Sequence, residues 1–212
     1  MICGLLLGLG WMGQAQDSEP EPVEYPLSAK DFAKGWVLTS SDPKVDFATT
    51  WQLHADPDPK ECVLVCTGKP DGYIRTEKSY ENFELGLEWK YSDDPNGNSG
   101  ILLYVTEKDM IWPKSLQIQL HRPAAGSVLP HGGAKTDNTL TAKDLSKPLS
   151  EWNRCLITCD RGKITVVMNG NKVGEVTGCV PSKGAIGLQS EGSEIHFRHM
   201  WVKPLKTAAE TR

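Results

Sequence analysis

The sequence predicts an all-β protein, a two-sheet antiparallel sandwich or jelly roll. Three observations point there. Between Leu27 and Leu205 the chain breaks into short runs of alternating apolar and polar residues, separated by turn residues. No stretch of convincing length carries a helical period. An Asn-Gly pair, Asn169-Gly170, sits between two strand-like runs and marks a hairpin.

The elements follow in order. "WQLHA", "ECVLVCTG" and "GYIRT" are the first short runs. "YENFELGLEWKYS" is the longest, with Phe83, Leu85, Leu87 and Trp89 on one face and Glu84, Gly86 and Glu88 on the other. The turn-rich "DDPNGNSG" then leads into "ILLYVT". In "SLQIQLHR", Leu116, Ile118 and Leu120 alternate with Gln117, Gln119 and His121. A Gly-, Pro- and His-rich loop precedes "EWNRCLITCD" and the hairpin "KITVVMNGNKVGEV". "GAIGLQSEGSEIHFRHMWVKPL" supplies the last two strands. Many short strands with nothing helical between them fit one sandwich domain over 27–205.

With 212 residues the chain can bury a proper core in one domain. A net charge of −4, with Lys and Arg scattered, argues against nucleic acid and against an anionic membrane surface. Seven Trp and 20 Gly suit a turn-rich β protein, with the Trp as core filler or as sugar platforms. At the N-terminus, the apolar run Ile2–Met12 is too short to span a bilayer and fits the core of a signal peptide. Gly13-Gln14-Ala15 offers a cleavage site. The expected organisation is a signal peptide over 1–16, a polar Pro-rich segment over 17–26, the domain over 27–205 and a tail over 206–212. That organisation predicts a periplasmic or secreted protein without a transmembrane anchor.

Five cysteines follow the leader, four of them in the pairs "CVLVC" and "CLITC". On a strand, positions i and i+4 share a face but lie about 13 Å apart, too far to bind one zinc ion together. Cross-strand disulfides and small buried core residues are the two remaining readings.

Several strands repeat the pattern of "SLQIQLHR". Ile186 and Leu188 oppose Gln189 and Glu191; Ile195 and Phe197 oppose His196 and Arg198. A sheet face rich in amides, carboxylates, His and Arg suits a polyhydroxylated ligand, because planar polar groups pair with vicinal hydroxyls. A merely solvated face is the plain alternative.

The ordered blocks "YENFELGLEWK", "GNSGILLYV", "IWPKSLQIQLH", "EWNRCLITCDRGKITVVMNGNKV" and "GAIGLQSEGSEIHFRHMWVKPL" resemble the 3-keto-disaccharide hydrolase family. That family is also described as 3-keto-glucoside 1,2-lyase or 3-keto-2-hydroxy-glucal hydratase. The resemblance implies a concanavalin A-like jelly roll related to laminin-G domains, and an oxidised glycoside as substrate. It matches Asn98, Gln119, Gln189 and Arg198. Gln117 stands where the family usually has Glu, and His199 where it usually has Asn.

In a 3-keto-glycoside the C3 carbonyl acidifies the C2 proton, so a base starts an elimination that expels the aglycone from C1. Water then adds to the enone. Such chemistry needs a base of suitable pKa and an electrophile for the enolate oxygen. The expected catalytic residues are His121, Arg198 and Glu88: His121, His131 and His196 are the candidate bases, Arg198 would stabilise the enolate, and Glu88 or Glu191 would serve as acid, base or metal ligand. The expected substrate-binding residues are Asn98, Gln117, Gln119, His131, Gln189, Glu191 and His196. A divalent cation on carboxylate and His could replace the arginine, although no local ligand motif such as H-x-x-x-H is present. Two rivals remain: a carbohydrate-binding module that lost its acid at Gln117, and a laminin-G-like adhesion domain, which would need a large exposed apolar patch.

Overall fold

The computed structural model describes residues 23–24, 34–55, 62–106 and 110–206. The predicted signal peptide, most of the segment over 17–26 and all but the first residue of the predicted tail lie outside the described residues. Among these described residues there are fourteen strands: β1 (Val23–Glu24), β2 (Trp36–Ser40), β3 (Trp51–Ala55), β4 (Cys62–Cys66), β5 (Gly72–Thr76), β6 (Phe83–Lys90) and β7 (Gly100–Val105), followed by β8 (Ser115–Gln119), β9 (Val128–His131), β10 (Asn153–Asp160), β11 (Lys163–Met168), β12 (Asn171–Val176), β13 (Ala185–Ser190) and β14 (Ile195–Pro204). Among the described residues, two short helical turns, Phe47–Thr50 and Arg122–Ala124, interrupt an otherwise all-β structure. Alternation alone did not reveal them, since each is a single turn. The second carries Pro123 inside its first turn, where a missing N–H costs nothing.

The strands form two antiparallel sheets. Sheet I runs β12-β11-β10-β6-β14-β4-β3, with β1 pairing the far end of β14. Sheet II runs β2-β5-β13-β7-β8-β9. β14 and β13, adjacent in the chain, thus sit inside different sheets. This is the predicted two-sheet jelly roll.

The apolar alternation of each strand faces the other sheet. Phe83, Leu85, Leu87, Trp89, Cys155, Ile157 and Phe197 from sheet I meet Ile74, Ile101, Leu103, Leu116, Ile118, Ile186 and Leu188 from sheet II, all of them buried in one core. Trp51 and Phe197 stack at 6.4 Å, and Trp89 meets Tyr91 edge-on at 5.5 Å. Trp36, Trp51 and Trp89 are core residues, whereas Trp112, Trp152 and Trp201 lie on outer surfaces. Cys62, Cys66, Cys155, Cys159 and Cys179 are all free thiols, and all but Cys62 are buried. The buried-core reading of the cysteines therefore holds over the disulfide one.

Strict alternation fails in two places. At Tyr104, φ is +59°, and the β7–β13 register shifts beside it. This bulge lets Leu103 and Tyr104 both enter the core, where Tyr104 packs edge-on against Phe83. At His199, φ is +50°, and the β14–β6 register slips between Arg198 and Trp201. The indole of Trp201 lies flat over Gly86, where any Cβ would collide with it. Asn169 and Gly170, at φ +51° and +80°, form the predicted hairpin turn.

Candidate functional site

Because both apolar faces are spent on the core, the polar residues divide between two outward faces. On sheet II, register places Val37, Arg75, Gly187, Leu102, Gln117 and Leu129 in one row across the strands. Tyr73 pairs with Gln189, Gly100 with Gln119, and Ser115 with His131. Most of this face is withdrawn from solvent: Gln189 is 1% exposed, Gln117 2% and Arg75 8%. Tyr73, Leu102, Val105 and Ala185 form a small apolar cluster within it.

The amides make a chain. Gln117 Nε2 donates to Gln189 Oε1 at 3.0 Å and, more weakly, to Gln119 Oε1 at 3.4 Å. Gln119 Oε1 also accepts from the His121 backbone N–H at 2.8 Å. Gly100 lies under this chain, and a Cβ there would strike the Gln117 side chain. The preceding Ser99 donates through Oγ to Gln189 O at 2.7 Å, fixing β13 against β7. Asn98 lies alongside: its side chain bonds Glu191, and its backbone N–H donates to Ser193 Oγ at 3.0 Å. Ser193 Oγ in turn donates to Asp94 Oδ2 at 2.8 Å. The "NSG" triplet therefore has a physical job at each position.

Among the buried polar atoms at this face without a hydrogen-bond partner are Arg75 Nε, Asn98 Oδ1 and His131 Nε2. Arg75 spends one N–H on Thr76 O at 3.3 Å. An unpaired buried donor or acceptor costs about 1–3 kcal/mol, so a ligand that supplies partners recovers that energy. Burial, reinforced by Asp71, raises the Glu191 carboxyl above its ordinary value, while the Asn98 bond partly opposes this. Burial alone lowers the His131 imidazole. At the edge of the face Trp112, 38% exposed, stacks on His131 with centroids 6.4 Å apart. Leu129, also exposed, lies on the same face two residues from His131.

The sequence had treated all the polar strands as one face, and here it needs correction. Asn98, Gln117, Gln119, His131, Gln189 and Glu191 do gather at sheet II. Glu88, Arg198 and His196 stand on β6 and β14, on the outer face of sheet I, with the core between the two groups. They cannot share a site with the amides. There Arg198 Nε donates to Glu88 Oε2 at 2.8 Å, and His199 Nδ1 approaches the same oxygen at 3.4 Å. His196 Nε2 lies 2.8 Å from Glu194 Oε1. His121 lies beyond the end of β8, half-buried at the head of the Arg122–Ala124 turn.

Sequence reasoning also missed residues. Arg75 was readable as the outward partner of Ile74 in "GYIRT". Trp112 gave no signal beyond being an aromatic in a loop, and only the structure brings it against His131. Among the described residues, no three His, Cys, Asp or Glu side chains converge as a metal-binding group. No helix among them is long and apolar enough to cross a membrane.

A family model for the 3-keto-alpha-glucoside-1,2-lyase-like domain matches residues 27–203. The chain belongs to this family. This lyase-like domain has no match among curated proteins. Among solved structures it is similar to a candidate glycosyl hydrolase from Parabacteroides distasonis, at 22% identity and TM-score 0.59, over 83% of this chain and 91% of that one. It is also similar to a β-glucanase from Bacillus licheniformis, at 12% identity and TM-score 0.58, over 91% and 100% of the two chains. A carbohydrate-binding module from Bacillus subtilis matches at 12% identity and TM-score 0.56, over 80% and 95%. These likenesses establish the jelly-roll fold of the lyase-like domain, and the family match makes it a carbohydrate-active one.

Proposed function

We propose that the domain binds a 3-keto-glycoside on the outer face of sheet II and cleaves it by elimination and hydration, or by hydrolysis. One observation carries the reading: a buried chain of amides lies beside polar atoms of Arg75, Asn98 and His131 that lack partners. Such groups suit sugar hydroxyls and a carbonyl. Trp112 offers an exposed ring for a sugar or aglycone to stack on.

The roles follow from position. Glu191, whose carboxyl burial raises above its ordinary value, suits the base that takes the C2 proton. The C2–H electron pair becomes the enolate, and Arg75 Nε–H faces its oxygen. The C1–O bond then breaks, and the departing oxygen takes a proton. His121, at the end of the amide row, suits that second transfer. A divalent cation would serve the same electrophilic purpose as Arg75. The leader predicted over 1–16 supports export to the periplasm or the medium.

The test compares a 3-keto-glucoside with its unoxidised parent, following aglycone release. Turnover of the keto form alone is expected, and Glu191→Gln should lower it by about 100-fold or more, the scale of a lost general base. Full turnover in both Glu191→Gln and Arg75→Met would remove the chemistry from sheet II. Gln117 favours a second reading, since an amide cannot titrate where the family usually has Glu. Saturable sugar binding without turnover of either compound would establish the domain as a carbohydrate-binding module.

A further inference from the structure

The outer face of sheet I carries a cleft of about 320 Å³, lined by residues that the sheet II site leaves unused. Register builds it. His196 pairs with Val65 on one side and Lys90 on the other, and His54 pairs with Val63 at the sheet edge. Val63 and Val65 form an apolar floor, 8% and 4% exposed. Trp152, entering from the start of β10, forms a wall. The Arg198 guanidinium lies 4.2 Å from the Trp152 ring centroid, and Lys90 Nζ lies 4.7 Å from the same ring. Two cations thus converge on one indole.

Their charges are not balanced alike. Arg198 has Glu88 at 2.8 Å, and His196 has Glu194 at 2.8 Å. Lys90 has its ring contact and, among the described residues, no carboxylate in an ion pair with it, although it lines the cleft. An ammonium held against an aromatic face keeps hydrogens free to donate away from the ring. The cleft therefore joins an ammonium that no described carboxylate pairs with, an aromatic wall and an apolar floor in a volume at the small end for ligand sites.

We propose that this cleft is a second ligand site, separate from the sheet II face, for a carboxylate-bearing molecule of monosaccharide size, with Lys90 receiving the carboxylate. A sugar acid fits this chemistry: its ring lies on Val63 and Val65 beside Trp152, and its anion meets the ammonium. The site is independent of the reaction on sheet II, because the core separates the two faces.

The test uses the whole protein, labelled with ¹⁵N, and glucuronate as the probe with glucose as its neutral control. Glucuronate should shift the Trp152 indole N–H and the backbone amides of Lys90 and His196 saturably, and added salt should weaken it. Glucose should leave these signals in place. Lys90→Gln should raise the glucuronate Kd about tenfold or more, a loss of about 1.4 kcal/mol, with keto-glycoside turnover unchanged. Trp152→Ala, checked for an intact melt, should weaken binding as well. The proposal is overturned if glucuronate shifts only sheet II signals, if glucose binds equally well, or if Lys90→Gln leaves the Kd unchanged.

Discussion

Replacing Gln189 by Ala tests whether the amide row is a connected structure or a set of neighbours. In the folded protein, Gln117 Nε2 has one good acceptor, Gln189 Oε1 at 3.0 Å, and one poor one at 3.4 Å. Gln117 is 2% exposed and Gln189 1%, so water does not readily replace a lost partner. Truncation leaves one buried N–H unsatisfied, which costs about 1–3 kcal/mol. Removing buried atoms from a well-packed site adds to this, less whatever a water entering the new space restores. A net loss of about 2 kcal/mol is expected from these contributions. Urea melts of Gln189→Ala, Gln117→Ala and the double variant give the pairwise share, expected at about 1 kcal/mol, within the usual range for contacting residues. A Gln189→Ala loss below about 0.5 kcal/mol, the size of an ordinary surface change, would refute the reasoning. So would a coupling indistinguishable from zero. Either result would make the row a hydrated face.

Two further predictions rest on the same structure. The Glu191 carboxyl is raised, so the folded state holds its proton to higher pH than the unfolded chain does. Stability relative to Glu191→Gln should therefore fall as pH rises from the unfolded carboxylate value through the folded one; a constant or rising difference in Tm would contradict this. The thiols of Cys66 and Cys155 are pushed up by burial to about 11 and about 12, and Cys159 is raised as well. Iodoacetamide should accordingly label half-buried Cys62 first and leave those three until unfolding, and mass spectrometry that finds them modified in the native protein would count against the buried core described here.

Much of the fold was legible because a strand's period is local. Phe83 to Trp89 declared their inner face, and Asn169-Gly170 declared its turn, from neighbouring residues alone. The partner of each strand was not legible. β6 lies between β10 and β14, and β13 between β5 and β7, pairings set by packing across long stretches of chain. One polar pattern therefore concealed two faces, and Glu88 and Arg198 were grouped with Gln117 although the core lies between them. The bulges at Tyr104 and His199 add a residue that alternation cannot anticipate. The amides were recoverable from "SLQIQLHR", and the reason a strand carries them is now visible: Gly100 makes room for Gln117, and Gln189 holds it.

The position of β13 and β14 has a consequence for synthesis. These last two strands are interior members of different sheets, β13 joining β5 to β7 and β14 joining β4 to β6. Until Ala185–Pro204 have emerged from the ribosome, both sheets remain split, with edges exposed along β5, β7, β4 and β6. The nascent chain can form hairpins such as β10–β11–β12 but cannot close either layer. Folding is thus deferred until β13 and β14 have been made, and its rate is set by long-range closure, the slow regime for β proteins. A chaperone that shields those four edges should raise the yield of folded protein more than any stabilisation of the early hairpins.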